Sequence, residues 1–248
     1  MRKVHVLLTK ENLSPEKLAS GKKIAVVLDI LLATTTIVRA LEHGATEVIP
    51  VLTPEEAIQV SNRFDRGEAL LAGELQAKPI DGFLYPGPVR ISKCIRGKAL
   101  VLSTTNGTVA LRNAAYANTV YISSLLNNAA VAETVLQEDR KYTIIVICSG
   151  NSGEFSLEDF YGAGHFISKL KGRTNEEIEL NDAGKAAFAF YNNHSSDPAH
   201  LLATSRVGQL LIEHGLTEDL ILASASGTHD VVPVLIENQV LLRVTREG

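Results

Sequence analysis

Apolar positions along the chain fall into short β-branched runs separated by longer stretches with helical spacing. Runs at residues 4–8, 69–73, 99–102 and 142–147, with the turn-and-strand stretch 44–51, are too short for helices. They predict strands, and the near-continuous ones predict strands buried on both faces. Between them, Ser14-Pro15 opens a short helix with proline at its first position. Thr53-Pro54-Glu55-Glu56 caps a helix running towards residues 66–67, and a further helix is expected over 109–115. Ser156-Leu157-Glu158-Asp159 is a capping-box-like start to a helix through Leu170. Residues 182–191 and 199–213 read as helices, 220–223 and 231–235 as strands, and 240–244 as a closing strand. The last strands are joined by short turns, which predicts an antiparallel pair. Residues 78–88 carry three prolines and two glycines and predict a long loop, and 171–179 is a polar surface connection. Strands alternate with helices, so the expected fold is α/β: a layered α/β/α single domain over residues 1–248 with a mixed, mostly parallel sheet.

One stretch stands out. Residues 26–36 read V-V-L-D-I-L-L-A-T-T-T: a buried strand, then Asp29, then a hydroxyl-rich turn. Residues 37–41 continue with helical spacing towards Gly44, a C-cap. A carboxylate in an apolar run is unfavourable unless it meets a cation or hydrogen-bond donors. A helix N-terminus beside it is a natural anion site, although capping threonines would account for the hydroxyls equally well.

The pattern recurs. Residues 36–51 and 108–123 align without gaps, each running from Thr through a helix containing Arg to a small-residue turn and a strand. One strand–turn–helix–strand unit would thus be used twice, over about residues 26–60 and 98–132, giving two related β/α halves. Any two neighbouring β/α units could also share this much.

In layered α/β sheets ligands sit beyond the carboxyl ends of the strands. Four loops have that address: 29–36, 73–74, 103–108 and 148–159. They offer carboxylates (Asp29, Glu74, Glu158, Asp159), hydroxyls, Asn106, and Gly107, which lets backbone approach closely. Hard oxygen donors of this kind suit Mg²⁺ held by one or two carboxylates against a phosphorylated ligand. Each has a plainer reading too: Glu158 and Asp159 suit the first turn of any helix, and Asn106-Gly107 is a common turn pair.

Composition narrows the field. A formal net charge of −4 argues against a nucleic-acid binder. No apolar stretch is long enough to span a bilayer, and the first residues read as a strand, not a leader. Cys94 and Cys148 show neither metal-ligand spacing nor a disulfide framework, so a reducing cytoplasm is the expected compartment. The histidines make no H-x-x-x-H pair, and Walker A, dinucleotide-fingerprint and G-x-S-x-G motifs are absent.

The segment Val27-Leu28-Asp29-Ile30-Leu31-Leu32-Ala33-Thr34-Thr35-Thr36 resembles the IDVLRATTT signature of 2-phosphosulfolactate phosphatases. Gly73-Glu74, Asp81-Gly82-Phe83, Thr104-Thr105-Asn106-Gly107-Thr108, Cys148-Ser149-Gly150, Ser156 to Phe160 with Ala163-Gly164, and Asp230 to Pro233 follow in the family's order. The resemblance covers nearly the whole chain. It implies a Mg²⁺-dependent phosphomonoester hydrolase converting 2-phospho-3-sulfolactate to 3-sulfolactate and phosphate, a step towards coenzyme M. Carried over by position, Asp29, Glu74, Glu158 and Asp159 are the candidate catalytic carboxylates, with Asp29, Glu74 and Asp159 as metal ligands. Thr34, Thr35, Thr104, Thr105, Asn106 and Gly107 are the candidate substrate contacts. The attacking group would be water or Asp29. Such an enzyme would take a small anionic phosphorylated substrate, with no nucleic-acid or membrane partner, and its size is compatible with a homo-oligomer.

Three departures matter. The family's Arg before Ala-Thr-Thr is Leu32 here, the Arg of its Gly-Glu-Arg is Leu75, and the Asp after Gly-Phe is Leu84. Arginine is suited to bidentate recognition of phosphate and related oxyanions. Their loss leaves two alternatives open: a phosphatase with a changed substrate, or a non-catalytic relative that binds an anionic metabolite.

Overall fold

A computed structural model describes residues 1–76 and 78–243. In chain order the elements are β1 (Arg2–Leu7), α1 (Pro15–Ala19), β2 (Lys23–Leu28), α2 (Ala33–Glu42), β3 (Glu47–Val51), α3 (Pro54–Ser61), β4 (Ala69–Leu75) and β5 (Lys78–Pro79). Then come α4 (Pro88–Ser92), β6 (Ala99–Ser103), α5 (Gly107–Ala114), β7 (Thr119–Ser123), α6 (Asn128–Gln137), β8 (Thr143–Cys148) and α7 (Leu157–Lys171). The chain continues with β9 (Ile178–Leu180), α8 (Asp182–His194), α9 (Pro198–Thr204), α10 (Arg206–Glu213), α11 (Thr217–Ser224), β10 (Pro233–Ile236) and β11 (Gln239–Leu242).

The strands make one sheet in the order β5-β4-β6-β3-β11-β10-β7-β2-β8-β1-β9. Two parallel blocks, β4-β6-β3 and β7-β2-β8-β1-β9, flank the antiparallel β10–β11 hairpin. The expected mixed, mostly parallel sheet is therefore present. Strand pleating sorts the side chains of β2 into two of the three cores. Ile24, Val26 and Leu28 of β2 face one, with Tyr161, Phe166 and Ile167 of α7. Ala25 and Val27 face the other, with Ile37 and Leu41 of α2 and Leu111 of α5. Each such Leu, Ile or Val, fully buried, stabilises the fold by ~1.5–3 kcal/mol. The echoing segments exchange partners: β2 pairs with β7, and β3 with β6. Each strand before an echoing helix therefore lies beside the strand after the other.

Several sequence expectations change. Residues 220–223 are helical within α11, because Glu218 and Asp219 favour its first turn and Leu220 and Ala223, three apart, bury one face. The helix expected over 199–213 is two, α9 and α10. Ser205 adopts an extended backbone (φ −71°, ψ 158°) and its Oγ caps the second by accepting from Gly208 N at 3.0 Å. Within 171–179 the expected surface connection gives way to the start of β9, whose Ile178 pairs with Arg2 of β1. The proline-rich stretch 78–88 opens with the short strand β5 and ends at Pro88, the first residue of α4. Strand β10 starts at Pro233, and of the closing strand expected over 240–244, Val244 lies outside the described residues. No helix among the described residues is long and apolar enough to cross a membrane.

Candidate active site

The carboxyl ends of strands from both parallel blocks converge. Lys10, just beyond β1, donates from Nζ to Asn106 Oδ1 beyond β6 at 2.9 Å, and Ser152 N beyond β8 donates to the same oxygen at 2.9 Å. The first turns of α2 and α5 meet at Gly107. A Cβ there would lie 2.4 Å from Ala33 Cβ and 2.6 Å from Asp29 Oδ2, so only glycine fits. Two positive helix ends therefore face one point beside Asp29.

A cavity of about 450 Å³ opens at this junction. Of the candidate residues, Asp29, Glu74, Thr104, Thr105 and Asn106 line it. Asp29 Oδ1 accepts from Ala33 N at 3.2 Å. Burial pushes its carboxyl up from 3.8 to about 7. The Ala33 N–H opposes this, and the nearby Glu74 and Glu158 charges add to it. Glu74 accepts from Thr105 N at 2.7 Å and from Thr105 Oγ1 at 3.0 Å. Asn106 spends its Oδ1 on Lys10 and Ser152, while its Nδ2 has no hydrogen-bond partner among the described residues.

The other candidates stand behind this wall. Thr34 and Thr35 are fully buried, their hydroxyls donating to Asp29 O at 2.9 Å and Ile30 O at 2.8 Å. They shape the turn and do not line the cavity, because a buried hydroxyl takes the nearest backbone acceptor. Thr36 ties the turn to the Pro86 carbonyl at 2.6 Å. Asp159 accepts from Ile30 N at 2.9 Å and Gly150 N at 3.1 Å, clamping two strand-end loops with its two oxygens. Burial raises its carboxyl well above the ordinary range, with the Asp29 and Glu158 charges adding to the effect. Glu158 is also buried and raised, partly offset by the Ser156 and Ser205 hydroxyls.

Among the described residues no three His, Cys, Asp or Glu side chains gather as a metal cage. The donor chemistry still suits a hard cation. Asp29 and Glu74 place two carboxylates on one cavity wall, and Mg²⁺ typically uses one or two, completing its shell with water and substrate oxygens. Asp159, with both oxygens engaged by backbone, fits a positioning role better.

Sequence reasoning missed the rest of the lining. Leu31, Leu32, Tyr85, Val207, Leu210 and Leu211 give it apolar surface, Gln76, Asn151 and Ser152 add neutral polar groups, and Arg206, the first residue of α10, is its cation. Tyr85 keeps its proton, its hydroxyl pushed up to about 12 by burial and by the Glu74 and Asp219 charges. The loop carrying Tyr85 and Pro86 is held in place where Asp219 of α11 accepts from Val89 N at 2.8 Å. Lys10 was signalled only by a charge ending an apolar run, and Arg206 only by its place after a capping serine. Of the three residues that depart from the family pattern, Leu32 lines the cavity, Leu75 is 57 % exposed, and Leu84 packs against the core around α2 and α5.

The family model described as 2-phosphosulpholactate phosphatase matches residues 7–238. A Symbiobacterium thermophilum protein named "Probable 2-phosphosulfolactate phosphatase" is 38 % identical over 233 residues, 93 % of this chain and 98 % of its own length. Proteins of the same name from Caldanaerobacter subterraneus subsp. tengcongensis and Clostridium perfringens are each 37 % identical. They match over 86 % and 93 % of this chain, and 88 % and 92 % of their own lengths.

Proposed function

The chain belongs to the 2-phosphosulpholactate phosphatase family, and from that premise we propose that it is a Mg²⁺-dependent phosphomonoester hydrolase acting on the phosphate ester of a short 2-hydroxy acid. The observation that carries the reading is the meeting of Asp29, Glu74 and Asn106 on one cavity wall where two helix N-termini converge.

In this reading Asp29 and Glu74 hold Mg²⁺, which when bound offsets charge on phosphoryl oxygens and acidifies coordinated water. The Asn106 Nδ2 donates to a phosphoryl oxygen, its orientation set by Lys10 and the Ser152 N–H on Oδ1. Gly107 keeps the space beside Asp29 open, and the first turns of α2 and α5 favour the negative charge gathered there. Asp159 and Glu158 act as positioning residues, because neither lines the cavity and Asp159 fixes the loops on either side of it. Water attacks phosphorus; its oxygen forms the new P–O bond as the ester bond breaks. The protonated Tyr85 hydroxyl, on the cavity wall, is a donor within the cavity for the departing oxygen. A cytoplasmic location belongs to the same reading, with Cys94 and Cys148 both free thiols.

The test is phosphate release from 2-phosphosulfolactate and p-nitrophenyl phosphate, with Mg²⁺ and then with chelator. Metal-dependent release that Asp29→Asn abolishes is the expected result. No release from either ester by folded protein, or release indifferent to Asp29→Asn, overturns the reading.

A further inference from the structure

The cavity is asymmetric in a way that bears on its substrate. A doubly charged phosphate suits the polar wall of Asp29, Glu74 and Asn106 once a cation is held there. Leu31, Leu32, Leu210 and Leu211 give the cavity an apolar lining, beside the neutral polar Gln76, Asn151 and Ser152. Leu31 and Leu32 are 7 % and 8 % exposed, held in place by the turn that Thr34 and Thr35 bond. Arg206 is the one lysine or arginine among the described residues lining the cavity, with no ion pair to another described residue. Lys10 stands behind Asn106 and is paired with Glu11 Oε1 at 2.8 Å.

A substrate bearing sulfonate and carboxylate besides phosphate would bring two further anions to a lining with one cation, and one of them would meet only neutral groups. Desolvating an unpaired charge against hydrocarbon is strongly unfavourable. A single carboxylate has its partner in Arg206, and a hydrocarbon group has its partner in the leucines. Leu32 stands where the family signature carries arginine, so the change of substrate chemistry falls on a position that faces the ligand.

Resting on the phosphatase reading above, we propose that the substrate is a phosphorylated 2-hydroxy acid with a hydrocarbon side chain: phosphate on the Asp29–Asn106 wall, carboxylate on Arg206, and the side chain against Leu31, Leu32 and Leu211. Hydrolysis uses water alone. The water oxygen bonds to phosphorus, the ester P–O bond breaks, and the 2-oxygen leaves with a proton as the free hydroxy acid beside inorganic phosphate.

The experiment measures kcat/KM of the full chain with Mg²⁺ for 2-phosphosulfolactate, 2-phospholactate and 2-phospho-4-methylpentanoate, with p-nitrophenyl phosphate as a general substrate. The branched hydrocarbon ester should exceed the sulfonated one by at least tenfold, ~1.4 kcal/mol in transition-state binding. Leu32→Arg should reverse that ratio, and Arg206→Ala should raise KM for the three acids by a larger factor than for p-nitrophenyl phosphate, which carries no carboxylate. The wild-type ratio decides the matter even if Leu32→Arg does not fold. Equal or better turnover of the sulfonated ester overturns the substrate inference and leaves the phosphatase reading standing. No turnover of any of the four esters overturns both.

Discussion

Asn in place of Asp29 should make the metal-free protein more stable while removing its activity, and the gain should grow with pH. Asp29 is 7 % exposed, and burial holds its carboxyl at about 7 against an ordinary 3.8. Between those values the folded protein keeps a proton that the unfolded chain has lost. The stability associated with that proton is complete below pH 3.8 and is lost as pH rises through about 7. At ~1.4 kcal/mol per pH unit the full window is worth ~4 kcal/mol, most of it above about pH 5. Asparagine has nearly the same shape, and its carbonyl can still accept from Ala33 N, now 3.2 Å from Oδ1. It also relieves the charge on Asp159, which Asp29 helps to raise. Thermal midpoints of parent and Asp29→Asn, with chelator present, would be compared at about pH 5 and about pH 8. For a chain of this size ~1 kcal/mol moves the midpoint by ~2–4 °C, so the advantage of Asn should widen by at least ~5 °C between the two. Phosphate release should fall at least ~100-fold. An Asp29→Asn protein no more stable than its parent at about pH 8, or an advantage equal at both values, would refute the buried-charge account.

The remaining predictions probe the surroundings of that carboxylate. Gly107→Ala places a methyl 2.4 Å from Ala33 Cβ and 2.6 Å from Asp29 Oδ2; urea unfolding should show a loss of ~1–3 kcal/mol, with reduced phosphate release. Asp159→Asn sets an amide N–H₂ against one of the N–H groups of Ile30 and Gly150; a loss of ~1–3 kcal/mol in the same assay is expected, with kcat falling more than KM rises. Ser205→Ala removes the cap on Gly208 N and should cost about 1 kcal/mol, read by chemical denaturation. Added Mg²⁺ should raise the midpoint of the parent at about pH 8 and leave Asp29→Asn unmoved in the same scan.

Much of the fold was legible. The apolar runs that became β1, β2, β3, β4, β6 and β8 are long enough and β-branched enough to speak for themselves, and Thr53 and Ser156 cap helices as their local sequence implies. Residues 220–223 misled because a short apolar run is ambiguous by itself, and the acidic first turn that decides for helix lies just before it. The candidate site divides in the same way. Asp29, Glu74, Thr104, Thr105 and Asn106 meet because each ends or follows a strand that the pattern identifies. Thr34 and Thr35 carry the right chemistry in the right turn, yet which way a hydroxyl points depends on the nearest acceptor, and here that is backbone.

The sequence by itself determined the alternation of strand and helix, the family, and the run of strand-end loops, in which a carboxylate is stranded among apolar neighbours and an amide follows two threonines. Those are local or linear properties, set by side-chain period, capping and motif order. Tertiary structure decided that β10 and β11 lie between the two parallel blocks, and that α2 and α5 meet at Gly107. It also decided that Lys10 reaches Asn106, 96 residues away, and that Arg206 and the leucines of α10 join the same cavity. Burial and charge proximity are properties of space, not of sequence separation. The placing of a carboxyl at about 7, and of apolar lining from α10 in the same cavity, emerges only when segments distant in the chain are packed together.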